Sequence, residues 1–67
     1  MTELEYAWRL GYDKRMEVAE FGAGAFLTED LKAPYSEDTD IELVLAWNQG
    51  WDDAAGSLKA AAWKASA

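Results

Sequence analysis

A chain of 67 residues suffices for one small domain, which buries only about 60% of the surface that its unfolded chain exposes. The absence of Cys and His excludes disulfides, thiolate nucleophiles, Cys/His zinc sites and acid–base catalysis by imidazole. The 13 acidic and 6 basic residues give a net charge of −7, which repels phosphate backbones and anionic lipids. We therefore expect a neutral or basic protein as partner, and no direct binding to nucleic acid or membranes.

The chain also lacks the pattern of a membrane or secreted protein. No uninterrupted apolar run approaches the roughly 20 residues of a membrane-spanning helix. The N-terminal segment mixes acids with apolar residues, unlike a signal peptide. We expect a soluble, cytoplasmic protein whose residues 1–67 form one domain.

The first predicted element is a helix over about residues 3–20. Thr2 and Glu5 have the spacing of a capping box, in which each side chain satisfies an exposed backbone amide of the other residue. Apolar residues then recur at near-helical spacing and predict a buried stripe: Leu4, Trp8, Tyr12, Met16 and Ala19.

A linker is predicted over residues 21–38. Gly22 and Gly24 remove the helical preference and offer a cap with positive φ. The linker contains enough apolar residues, among them Pro34 and Tyr35, to pack back on the helices. Residues 28–31 have the composition of one short helical turn, which Pro34 would stop.

The second helix is predicted over about residues 40–64, after a second capping box at Thr39 and Glu42. The fold class is therefore all-α, a two-helix antiparallel hairpin with a long, partly ordered linker. Four apolar residues fall partly outside the predicted buried stripe of this helix: Ile41, Val44, Leu45 and Ala55. We expect the first three, together with Trp63, to bind a partner or a second copy of the chain. Trp63 could equally be a terminal anchor on the domain itself.

A repeated motif, Ala-Trp-x-x-Gly-aromatic-Asp, occurs once in each helix, at residues 7–13 and 46–52. Residues four apart share a helix face, so Ala7 lies over Gly11 and Ala46 lies over Gly50. A Gly inside a helix costs about 1 kcal/mol relative to Ala, which indicates close approach of another backbone or ring. The motif predicts a helix crossing at the two glycines. It could alternatively line a ligand site with its four rings: Trp8, Tyr12, Trp47 and Trp51.

Four carboxylates lie close together before and within the start of the second helix: Glu37, Asp38, Asp40 and Glu42. We expect them to contact a basic partner, although they could serve only to cap the helix and keep the protein soluble. Their alternation resembles a calcium loop, but Leu43 and Gln49 stand where that loop needs Gly and Glu. We expect no metal, no cofactor and no enzymatic activity, since no nucleophile or activated acid–base pair is evident.

The order of these features resembles the ribosome modulation factor family and its small plasmid and phage relatives. The resemblance rests on the motif of helix 1, then Pro34-Tyr35, then Ala46-Trp47-x-x-Gly50-Trp51-x-x-Ala54. It implies two helices with a packed linker, in which the motif residues and Pro34-Tyr35 are structural. Members of that family are basic and bind ribosomal RNA, whereas acids largely replace the basic residues here. Ala33 also precedes the proline where Cys or Asn is usual, and the linker is longer.

The sequence therefore favours a small acidic inhibitor or modulator of a host protein, encoded by a phage or mobile element. A nucleic-acid-handling machine is the expected target, as for anti-CRISPR proteins. The alternative is a ribosome-associated hibernation factor, which requires a local basic patch formed by Arg9, Lys14, Arg15 and Lys32. A homodimer is expected at micromolar concentration.

Overall fold

The computed structural model describes the backbone of residues 1–66 and the side chains of residues 1–62. In that part of the chain, helices α1 (Glu3–Phe21) and α2 (Ile41–Ser66) are joined by a linker with two 3₁₀ turns, and there is no strand. This confirms the predicted all-α class with two helices and a partly ordered linker. The side chain of Trp63 lies outside the described residues, so its predicted role as an anchor or contact surface stays a prediction.

The ends of α1 follow the predicted capping signals. The Thr2 hydroxyl accepts a hydrogen bond from the backbone N–H of Glu5 at 3.2 Å, which satisfies one exposed donor of the first turn. At the other end Gly22 has a φ of 87°, a conformation that favours glycine, and its N–H donates to the Val18 carbonyl at 2.8 Å. The helix therefore ends within one residue of the predicted boundary.

The linker contains the predicted turn before Pro34. This turn, Thr28–Leu31, is a 3₁₀ turn in which the N–H of Leu27 donates to the Asp30 carboxylate at 3.4 Å. The Asp30 N–H donates back to the Leu27 carbonyl at 3.0 Å. A second 3₁₀ turn, Ala23–Ala25, directly follows α1 and was not predicted.

The two helices cross with their N-termini on the same side. At one end of the molecule, Glu3 of α1 lines a groove together with Asp40 and Leu43 of α2. Further along, the Tyr12 hydroxyl donates to Ser57 Oγ at 3.4 Å. In an antiparallel pair crossing at the glycines, Glu3 and Leu43 would lie more than about 20 Å apart along the axes. The predicted antiparallel direction was therefore wrong, and the helices run parallel.

The length of the linker explains this direction. Short connections force neighbouring helices to be antiparallel, whereas a long connection allows either direction. The 19 residues of α1 rise about 28 Å, and a linker over residues 22–40 can reach more than twice that distance when extended. The chain therefore returns along the helix pair before α2 begins, and it packs on the pair as it does so.

The crossing point is formed by the two glycines of the repeated motif, as predicted. A Cβ built on Gly11 would overlap the carbonyl oxygen of Trp47, and a Cβ built on Gly50 would overlap the carbonyl oxygen of Trp8. Each glycine thus faces the tryptophan backbone of the other motif, in a reciprocal arrangement. Such Cα–H contacts to carbonyl oxygens contribute about 0.5–1 kcal/mol each.

The core is small and lies between the crossing and the linker. Ala7 and Ala54 are fully buried, and Trp47 and Val44 are 4% and 6% exposed. The linker side chain of Tyr35 lines a groove together with Val44 and Trp47, which places the linker against this face of α2. Most other apolar residues of the helices remain partly exposed, as is expected for a domain of this length.

Candidate functional site

The parallel direction brings the acidic first turns of both helices to one end of the molecule. Thr2 and Glu3 line a groove with Asp40 and Leu43, and a neighbouring groove runs from Leu4 to the start of α2. We define the acidic end by its six carboxylates: Glu3, Glu5, Glu37, Asp38, Asp40 and Glu42. Four of these were predicted to contact a partner, and Glu3 and Glu5 were missed because the predicted direction placed them at the opposite end.

Helix geometry stabilises this concentration of negative charge only in part. Each helix N-terminus carries about half a positive charge, so two N-termini offset about one of the carboxylates. The backbone N–H of Val44 donates to the Asp40 carbonyl at 3.0 Å, which places Asp40 at the N-cap position of α2. The remaining carboxylates are exposed and available to a cationic partner.

Exposed apolar residues lie beside the acidic end. Ile41 and Leu45, both predicted to contact a partner, are 48% and 60% exposed. Leu4 of α1 was predicted to lie in the buried stripe, but it is 45% exposed, so that prediction was wrong. Tyr6, whose burial was not predicted, is 53% exposed. Val44 was predicted to lie on this surface, but it is buried beside the linker and cannot contact a partner, so that prediction is corrected.

The structural residues predicted from the motif and the linker differ in burial. The buried residues are Ala7, Gly11, Trp47 and Gly50. The half-buried residues are Tyr12, Tyr35, Ala46 and Trp51, and the exposed residues are Trp8 and Pro34. The rings form two pairs within their helices, with centroid separations of 5.2 Å for Trp8–Tyr12 and 5.3 Å for Trp47–Trp51. Trp47 packs against the linker whereas Trp8 lines the opposite groove, so the four rings do not line one site.

The indole of Trp8 is held by a polar network that the sequence did not predict. Its Nε1–H donates to Asp53 Oδ2 at 2.7 Å, and the Gln49 side chain donates to Asp53 Oδ1 at 2.9 Å. The Trp8–Asp53 hydrogen bond joins α1 to α2, and the hydrogen bond from Gln49, within α2, orients the Asp53 carboxylate. The groove on this face has a volume of about 500 Å³ and is lined mainly by apolar side chains.

Replacing Asp53 with alanine is expected to lower the free energy of unfolding by about 1 kcal/mol, because the Trp8 and Gln49 donors both lose their acceptor. The neighbouring Asp52→Ala is the control, since Asp52 is exposed and the charge change is the same. Thermal unfolding followed by circular dichroism measures both. Equal melting temperatures for the two variants would show that the Trp8 hydrogen bond contributes nothing.

The basic residues of α1 are engaged within the chain. Arg9 Nε lies 3.9 Å from Asp13, and Lys14 Nζ lies 3.4 Å from Glu17. Lys14 also lies 5.1 Å from the centre of the Phe26 ring, and the Arg15 guanidinium lies 5.8 Å from the Trp51 ring. The three side chains thus each have a partner within the chain, and Lys14 also lines a groove together with Lys32.

Over the described part of the chain, no group of three or more carboxylates is arranged to hold a metal ion. Over the same residues, neither helix combines the length and the apolar composition that crossing a bilayer requires. Comparisons with protein-family models, curated proteins and solved structures gave no match, so the resemblance to the ribosome modulation factor family stays a prediction from the sequence.

Proposed function

We propose that this protein is a non-enzymatic inhibitor or modulator that binds a basic surface of another protein through its acidic end. The observation that carries the proposal is the parallel crossing of α1 and α2, which brings Glu3 beside Asp40 and Glu42 and places exposed apolar residues at the same end. A protein that handles nucleic acid offers the matching surface, because its phosphate-binding site is basic. An acidic protein seated there blocks access of the nucleic acid.

The mixed chemistry of the acidic end suits such an interface. Charged residues steer association and specify orientation, while apolar anchors supply most of the affinity. Exposed Ile41 and Leu45 are available as anchors. A standard interface buries about 800 Å² on each partner, which is about a sixth of the 4963 Å² surface of this chain. One end of the molecule is therefore large enough.

The alternative, a ribosome-associated hibernation factor, receives less support from the arrangement of charge. Binding to ribosomal RNA requires the basic residues of α1 to contact phosphate groups as one patch. Arg9 and Lys14 are instead paired with acids, and Arg15 lies over the ring of Trp51. Each contact with RNA would have to displace an existing partner and overcome the net charge of −7.

A capture experiment with matched variants tests the proposed function. The variant Asp38→Asn/Asp40→Asn keeps a good N-cap residue and neutralises two charges of the acidic end. The control Glu20→Gln/Asp52→Asn removes the same charge from exposed positions elsewhere. We expect the wild type and the control to retain a nucleic-acid-handling protein from host lysate at low salt, and the acidic-end variant to lose it. Equal retention by all three, or salt-sensitive capture of ribosomal RNA, would contradict the proposal.

A homodimer at micromolar concentration is a further prediction, from the exposure of Ile41 and Leu45. Sedimentation velocity should show a species heavier than the 7.4 kDa monomer that increases with concentration. Leu45→Glu should shift the equilibrium to monomer, while Leu27→Glu, an exposed linker position, should leave it unchanged. A monomer over the whole concentration range would refute this prediction.

A further inference from the structure

A groove of about 610 Å³ separates the N-termini of the two helices at the acidic end. Its lining includes the aromatic side chains of Tyr6 and Tyr35, the carboxylates of Glu3 and Asp40, and the apolar side chain of Leu43. We propose that this tyrosine groove receives an arginine side chain of the protein partner. The inference rests on the proposed function and names the group that the acidic end recognises.

The walls of the tyrosine groove are held by backbone hydrogen bonds. The cap at Thr2 fixes the first turn of α1, and the N–H of Asp40 donates to the Ser36 carbonyl at 2.8 Å. The groove is therefore built from two helix starts and the adjoining end of the linker, which carries Tyr35. A preformed groove loses less conformational entropy on binding than a mobile one.

The lining matches the chemistry of a guanidinium group. This cation is planar and weakly hydrated, so it can stack on a tyrosine ring while its N–H groups donate to carboxylates. The methylene groups of arginine can lie on an apolar side chain such as Leu43. A lysine ammonium is compact and strongly hydrated, which favours water over the rings. An anion is repelled by Glu3 and Asp40.

Helix capping does not explain the presence of two tyrosines in this groove. Carboxylates at helix starts can serve only to cap the helices. Capping needs no aromatic ring, yet Tyr6 is 53% exposed and contributes little to the core. Tyr6 and Tyr35 both line the groove, so their rings offer surfaces on which a planar cation can stack.

The test is a titration of the ¹⁵N-labelled full chain with blocked tripeptides, Gly-Arg-Gly, Gly-Lys-Gly and Gly-citrulline-Gly, followed by amide chemical shifts. Citrulline has nearly the shape of arginine without the charge. We expect saturable shifts with the arginine peptide around residues 3–6, 35 and 40–43. Binding should be about fivefold weaker for lysine, and the citrulline peptide should give no saturable shifts.

Two variants identify the contributions of ring and charge. Tyr6→Leu keeps an apolar side chain at an exposed position and should weaken arginine binding about fivefold. Asp40→Asn should also weaken it, and the distant Glu20→Gln should not. Amide spectra that match the wild type away from the substitution confirm that each variant is folded.

Equal binding of arginine and citrulline, or shifts spread over the whole acidic surface, would overturn the inference. An unchanged affinity in Tyr6→Leu would overturn it as well. These results would leave the proposed function intact if partner capture still depends on Asp38 and Asp40. If arginine still binds in the groove but partner capture does not depend on Asp38 and Asp40, the proposed function is contradicted and the arginine site is not.

Discussion

Replacement of Gly50 by alanine is expected to lower the free energy of unfolding by about 1–3 kcal/mol, although alanine is the better helix former. The reason is that the added Cβ would overlap the carbonyl oxygen of Trp8 and lie 3.0 Å from the backbone nitrogen of Tyr12. These atoms belong to a helix backbone, so the helices must separate. Gly11→Ala should act similarly through Trp47, and Gly50→Val should destabilise at least as much as alanine.

Gly56 provides the matched control for the crossing. It lies inside α2, and a Cβ built on it meets no atom within 4 Å. Gly56→Ala should therefore stabilise the protein by about 1 kcal/mol through helix propensity alone. Thermal unfolding resolves the difference, since 1 kcal/mol shifts the melting temperature of a domain this size by about 4–8 °C. If Gly50→Ala stabilised the protein as Gly56→Ala does, the close crossing would be wrong.

Neutralising the acidic end is expected to slow association with a basic partner by about three- to tenfold at low ionic strength. The variant is Asp38→Asn/Asp40→Asn, and the measurement is the on-rate as a function of salt. Steering acts before contact, so the off-rate should barely change while the salt dependence of the on-rate flattens. Above about 0.1 M salt the Debye length falls to 10 Å or less, and the variants should converge.

The control for this prediction is Glu20→Gln/Asp52→Asn, which changes the net charge equally. Glu20 lies in the last turn of α1, roughly 25 Å from Glu3 along the helix. The control should therefore slow association less than the acidic-end variant. Equal slowing in both variants would assign the effect to net charge, and an unchanged on-rate in both would leave the carboxylates with a capping role only.

The helices and their crossing could be predicted because their signals are local. The Thr2 cap, the glycines after α1 and the turn before Pro34 each involve residues a few positions apart. The two glycines in the middle of helices indicated a close approach, which the structure shows as contacts with tryptophan backbones. Short-range patterns of this kind depend on propensity and sterics alone.

The direction of the helices could not be predicted from such patterns. A stripe of apolar residues looks the same whichever way the partner helix runs, and the linker is long enough for both directions. The error had further consequences, because the burial of Val44 and the position of Glu3 both depend on where the linker and helices lie. The Trp8–Asp53 hydrogen bond joins residues 45 positions apart, and no local signal announces it.

The parallel direction of the two helices is the structural basis of the proposed function. Paramagnetic broadening from a spin label at position 42 tests it most directly. The chain has no cysteine, so Glu42→Cys gives a single attachment site at the start of α2. Paramagnetic broadening of the α1 amides then reports which end of α1 is near. The parallel crossing predicts strong broadening at residues 3–6 and little at residues 18–21. The opposite pattern would mean that the helices are antiparallel, and that Glu3 and Glu5 do not belong to the acidic end.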